Sequence, residues 1–174
     1  MKKNLFTAII IGLFFVASNV SFGQERVYNS EKTFSITPAK GWENHSAENA
    51  IVFIQGQTED GRRANIQVRT LPTHWTNDMT FDELWNHWIT RVLPRVHRRH
   101  FTLKQTGESS INGINANWIE YTYTQRRRQT ARTLVYMFIE NDIVYLIMSM
   151  APEEHNKNVE ADIRRMIYSF RIAE

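Results

Sequence analysis

The chain has 174 residues, 21 Lys and Arg against 18 Asp and Glu, and no Cys. The missing Cys excludes a disulfide framework, a thiolate nucleophile and a Cys-ligated metal. Two of the positive charges are Lys2 and Lys3, and without them 19 basic residues face 18 acidic ones. A general nucleic-acid footprint is therefore excluded, and any basic character is local.

The chain opens like a targeting segment. Lys2 and Lys3 precede an apolar run from Leu5 to Val16, which is shorter than the ~20 residues that a membrane span needs. Ser21-Phe22-Gly23 then puts small residues where a signal peptidase requires them. We expect a signal peptide over residues 1–23, cleaved before Gln24, and one domain over residues 24–174. The product would be periplasmic or secreted, with no stable membrane anchor. A chain of that length buries enough surface to fold without a staple.

The predicted elements follow in chain order. Phe34-Ser35-Ile36-Thr37 alternates and stops at Pro38. Trp42 follows Gly41, and a large aromatic after such a turn either plugs the end of a core or offers a stacking surface. Ala50–Gln55 reads as a buried strand. Ala64, Ile66 and Val68 alternate with Asn65, Gln67 and Arg69, a half-buried strand, and Asp60-Gly61 between the two runs marks a hairpin. Thr80-Phe81-Asp82-Glu83 is a capping box. Phe81, Leu84, Trp85, Trp88, Val92 and Val96 recur at helical spacing, with Pro94 expected to kink or end the helix near Leu93. Asn112-Gly113 joins strands Leu103–Ile111 and Ile114–Tyr123. Glu140-Asn141-Asp142 joins Arg132–Ile139 and Ile143–Met150, which are apolar on both faces and need cover on both. Pro152 is expected to open a last helix, with Glu153 and Glu154 in its first turn. Val159, Ile163, Met166, Ile167 and Phe170 form its buried stripe. The fold class expected is α+β: an antiparallel sheet built of hairpins, with helices on both faces.

Chemistry-bearing constellations are sparse. No G-x-S-x-G elbow occurs, and Ser109-Ser110 lies in a strand. His97 and His100 are separated by Arg98 and Arg99, whose charges repel a cation. His74 and His87 stand near Trp75 and Asp78 without metal-site spacing. The acidic pairs Asp82-Glu83 and Glu153-Glu154 are explained by helix starts. We therefore expect no catalytic residue, cofactor or metal. What remains is arginine: Arg62 and Arg63 after one turn, Arg95 to Arg99 behind the first helix, and Arg126, Arg127, Arg128 and Arg132 between two strands. These are either solvated tips that protect sheet edges or contacts for an acidic protein partner.

Phe34-Ser35-Ile36-Thr37-Pro38-Ala39-Lys40-Gly41-Trp42 resembles the F-x-I-x-x-P-x-G-W opening of PsbP-like proteins, a group that includes PsbP, DcrB and LpqN types. Ser169-Phe170-Arg171 after the last helix resembles their I-x-x-S-F closing. The resemblance implies an α/β/α sandwich with a docking or binding role and no shared enzymatic activity. Two readings of function stand. One is a non-catalytic extracytoplasmic adaptor that docks a protein through its loops. The other is a ligand carrier or enzyme with a pocket between the first helix and the sheet, lined by Trp75, Trp85, Trp88 and neighbouring His. A hollow of a few hundred cubic ångströms with convergent polar groups would favour the second; a filled core under the helix would favour the first.

Overall fold

The computed structural model describes residues 25–46, 51–72, 79–97, 100–125 and 129–173. Among the described residues ten strands form two sheets, accompanied by three α-helical segments. β1 (Val27–Tyr28), β2 (Phe34–Ile36) and β10 (Arg171–Ile172) form a small antiparallel sheet in the order β1-β2-β10. The larger sheet contains β3 (Glu43–Asn44), β4 (Val52–Gln57), β5 (Arg63–Pro72), β6 (Thr102–Ile111), β7 (Ile114–Thr124), β8 (Thr130–Glu140) and β9 (Ile143–Pro152). Its order is β3-β4-β5-β9-β8-β7-β6, and every pairing is antiparallel.

The turns follow from backbone chemistry. Asn112 and Gly113 both take positive φ, 50° and 88°, as a tight hairpin between right-twisted strands requires. Asn141 and Asp142 do the same at 49° and 56°. Gly61, at φ 76°, closes the β4–β5 turn.

Helices cover both faces of the large sheet, as expected. On one face lie α1 (Phe81–His87), a π-helical turn (Trp88–Val92) and α2 (Leu93–Val96). Thr80 caps α1: its hydroxyl accepts from the Glu83 N–H at 3.3 Å, and Glu83 Oε2 accepts from the Thr80 N–H at 2.8 Å. The bond from the Thr80 N–H, and next the one that the Thr80 hydroxyl donates to Glu83 Oε2 at 2.9 Å, hold the Glu83 carboxyl below its ordinary pKa. Pro94 does not end the helix. The chain passes into a π turn, in which the Leu93 N–H bonds the Trp88 carbonyl, and continues to Val96. A π turn absorbs the bonding change that a proline forces on an α-helix.

On the other face lies α3 (Asn156–Tyr168). Pro152 does not open it. Pro152 is the last residue of β9, opposite Ala131, and Glu153–His155 form a 3-10 turn before α3 begins at Asn156. Proline is tolerated there because the strand is ending. Val159, Ile163, Met166, Ile167 and Phe170 pack with Phe34, Ile36, Leu134, Tyr136 and Phe138 in the main core. A second core under α1 joins Trp85 and Leu93 to Ile119, Tyr121, Val135 and Met137. Trp42 plugs the main core, 7% exposed, with its indole against Gly56.

Candidate functional site

Alternation along β8 sends neighbouring side chains to opposite faces, and the two faces are finished differently. On the α3 side, Arg132 is held by carboxylates. Its Nε lies 2.7 Å from Glu120 Oε1, its Nη2 donates to Glu120 Oε2 at 2.8 Å, and Nη1 is 3.6 Å from Glu160. Arg164 completes the group through Glu160 at 2.9 Å. Beside Trp42 a hollow of about 420 Å³ reaches Val159 and Asp162 of α3, but only about 20 Å³ is left around this network, so that part of the face is filled.

The α1 side is not. α1, the π turn and α2 cover the β7–β8 region, and beside them a cleft of about 480 Å³ opens over β5 and β9. Trp88, Val92 and Val96 form one wall, and Leu146, Met148 and Met150 the floor along β9. At the back, His97 lies over Tyr123 with ring centroids 3.9 Å apart, and His97 Nε2 is 3.1 Å from the Tyr121 hydroxyl. Burial pushes the His97 pKa down, so the ring is neutral at pH 7. Burial, and next the neighbouring Tyr123, push the Tyr121 phenol up, so it keeps its proton. Gln125 Nε2 donates to Met150 Sδ at 2.9 Å and to the Tyr123 hydroxyl at 3.3 Å, fixing the far end of the floor.

Two features of the cleft are polar. Asn65, Gln67 and Arg69 of β5 line the cleft, and Arg63 of the same row lines the hollow that adjoins it, in a strand whose other face, Ala64, Ile66 and Val68, is core. Thr133, 6% exposed, also lines the cleft; its Oγ1 meets the Tyr121 phenol on the facing strand but, alone among the buried side-chain polar atoms of the described residues, makes no well-formed hydrogen bond. Such atoms are rare because a buried unmatched hydroxyl costs about 1–3 kcal/mol.

Another hollow, about 470 Å³, adjoins the cleft and shares Phe53, Asn65 and Met150 with it. Arg62, Arg63, Gln125 and Gln129 line it, so the β4–β5 and β7–β8 tips lie at the same end of the sheet. Arg62 is engaged there, 2.7 Å from Asp60 and 3.5 Å from Glu154, whereas Arg63 is exposed. The structure thus brings Arg62 and Arg63 to the hollow that adjoins the cleft and sets Arg132 apart under α3. Arg126, Arg127 and Arg128 lie outside the described residues, as do Arg98, Arg99, His74, Trp75 and Asp78. Of the expected pocket residues, Trp88 lines the cleft, and Trp85 is buried in the core under α1, stacked on Trp88 at 5.9 Å. Tyr121, Tyr123, Thr133, Met148 and Met150 were missed as pocket residues. No short-range sequence signal marks them, because only the pairing of β7, β8 and β9 makes them neighbours. Among the described residues no group of His, Asp or Glu could hold a metal, and no helix is long and apolar enough to cross a membrane.

No family model matches the chain, and no curated protein matches it. Solved structures do. CyanoP, the cyanobacterial PsbP of Synechocystis, superposes with a TM-score of 0.59 at 12% identity, over 93% of this chain and 100% of that one. The fold is PsbP-like. LpqN of Mycobacterium tuberculosis, described as involved in cell envelope biogenesis, gives a TM-score of 0.57 at 10% identity over 86% of this chain and 90% of its own. A Bacteroides thetaiotaomicron structure gives 0.58 at 8% identity over 87% of this chain, which spans about half (49%) of that longer one. The opening and closing motifs of PsbP-like proteins sit in its structural frame. Phe34 and Ile36 are core residues of β2, and Ser169 accepts from the Thr37 N–H at 2.8 Å, tying one motif to the other.

Proposed function

We propose that this protein is a non-catalytic binding module acting outside the cytoplasm, and that the cleft beside α1–α2 is its binding place. The observation that carries the reading is the lining of the cleft. Its space of about 480 Å³ is lined by aromatic and Met side chains, with polar groups converging from β5 and β8, whereas the hollow of about 420 Å³ beside Trp42, at the edge of α3, is lined by charged side chains such as Lys40, Glu43, Glu59 and Asp162. Ligand pockets have this size and this apolar-with-few-polar lining. The extracytoplasmic assignment is supported by the apolar segment behind Lys2 and Lys3. It agrees with the envelope role stated for LpqN.

Titration with a neutral apolar fluorophore, N-phenyl-1-naphthylamine, tests the reading. Saturable enhancement is expected in the wild type. It should be lost in Gln67→Trp, which fills the cleft from a half-buried strand position. No saturable enhancement, or the same enhancement in Gln67→Trp, would contradict it.

A second reading, docking of an acidic protein, draws on the shared end of the two hairpin tips, where Arg62 and Arg63 line one hollow. Replacing Arg126, Arg127 and Arg128 by Gln should then slow association with such a partner and weaken its salt dependence while leaving the Tm unchanged. An unchanged association rate and salt slope would set this reading aside.

A further inference from the structure

We propose that the natural ligand of the cleft is a small amphipathic anion, an apolar body carrying a carboxylate or an equivalent acidic headgroup. The inference rests on reading the cleft as the binding place and names what fills it. The body is set by the lining: Trp88, Tyr123, Met148 and Met150 offer two aromatic rings and two adaptable thioethers, surfaces that accept an aliphatic or aromatic chain.

The headgroup is set by charge. Among the described residues, the two adjoining hollows are lined by Arg62, Arg63 and Arg69 and by no Asp or Glu. The chain as a whole is near balance, so this concentration of one sign is local. Arg62 is neutralised by Asp60 and Glu154. Arg63 and Arg69 are not ion-paired among the described residues; Arg69 only donates from Nε to Gln67 Oε1, at 3.1 Å. They stand at the two ends of the β5 row, six residues apart, or about 20 Å along a strand. An anion approaching from either end therefore meets a guanidinium that has no carboxylate partner among the described residues. Other hollows lack this character. The one beside Trp42 mixes Lys40 with Glu43, Glu59 and Asp162, and the one beside Asn112 carries Glu140.

A hydroxyl in the cleft wall adds to this. Thr133 Oγ1 is buried without a well-formed hydrogen bond, its contact being the Tyr121 phenol on the facing strand. His97, neutral and facing the same space, and Asn65 complete a set of groups that can bond a polar atom carried into the cleft.

The experiment uses three ligands with one tail and three heads: decanoate, decanol and decyltrimethylammonium. Each competes against bound N-phenyl-1-naphthylamine at low ionic strength and below its micellar concentration. Decanoate should bind about two- to fivefold more tightly than decanol, the advantage that one exposed charge pair supplies, since a single headgroup reaches one guanidinium at a time, and the cation should bind most weakly. In the Arg63→Gln/Arg69→Gln double variant the ratio of decanoate to decanol affinity should fall to about one. Added salt should erode the advantage in the wild type only. Equal affinity for decanoate and decanol, or an advantage that survives in the double variant, would overturn the inference and leave the cleft as a binding place. Failure of all three to displace a bound fluorophore would also overturn it. Failure of the fluorophore itself to bind would bring down both.

Discussion

Trp42 and Gly56 are coupled tightly enough to give a quantitative test of the core. Trp42 is 7% exposed, and a Cβ added at Gly56 would sit 2.5 Å from two of its indole atoms. Removing the indole by Trp42→Ala should destabilise by about 3–5 kcal/mol, the range for truncating a large aromatic in a core. Gly56→Ala alone should cost about 1–3 kcal/mol, because the rigid ring must move to admit the methyl. The backbone at Gly56 is not in the positive-φ region, so nothing else opposes alanine there. In the Trp42→Ala background the clash is gone, and Gly56→Ala should be neutral or stabilising by about 0.5 kcal/mol, since alanine restricts the unfolded chain. Urea denaturation of the four proteins closes the cycle, with an expected coupling of about 1–3 kcal/mol. An equal cost for Gly56→Ala in both backgrounds would refute the seating of Trp42 on β4.

The remaining expectations concern the α3 network, the cleft histidine and processing. Glu120→Ala should destabilise by about 2 kcal/mol, between the worth of an exposed pair and the cost of orphaning a buried charge, and denaturation of the variant will show it. The Glu120 and Arg132 side chains are 11% and 26% exposed, which places the pair in that intermediate range. His97 has a folded pKa below its unfolded value of ~6.5, so below that pH the unfolded chain binds more protons and stability falls as the pH drops. His97→Gln should flatten the slope of stability against pH below pH 6.5; an unchanged slope would remove His97 as its source. N-terminal sequencing of exported protein should find Gln24 first, and a membrane-held chain that retains Met1 would contradict cleavage.

The local chemistry of the fold was legible because it is written in short-range patterns. Asn112-Gly113 could only be a tight turn, Thr80 and Glu83 close a capping box of their own, and the doubly apolar β8 and β9 required helices on both sides. Pro152 was misread because a proline before two acids fits a helix start as well as a strand end. The tertiary setting of β9, paired to Ala131, decided between them. Two-residue strands such as β3 and β10 exist only through their partners, so no periodicity betrays them. The cleft was legible only in part. Trp88 stood out, but Tyr121, Thr133 and Met150 become neighbours through long-range pairing of β7, β8 and β9. The polar row Arg63, Asn65, Gln67 and Arg69 reads identically whether it faces bulk water or a cleft wall. Only the strand order, with β5 inside the sheet between β4 and β9, shows that it borders a cleft.

The most direct test of cleft binding is amide and side-chain NMR shift mapping on the isotope-labelled domain during a decanoate titration. Shifts should concentrate on Trp88, His97, Tyr123, Thr133, Met148 and the β5 row, with the α3 network of Glu120, Arg132 and Glu160 silent. Shifts centred on α3 or on the Trp42 hollow, or none at saturating ligand, would contradict a binding place beside α1–α2.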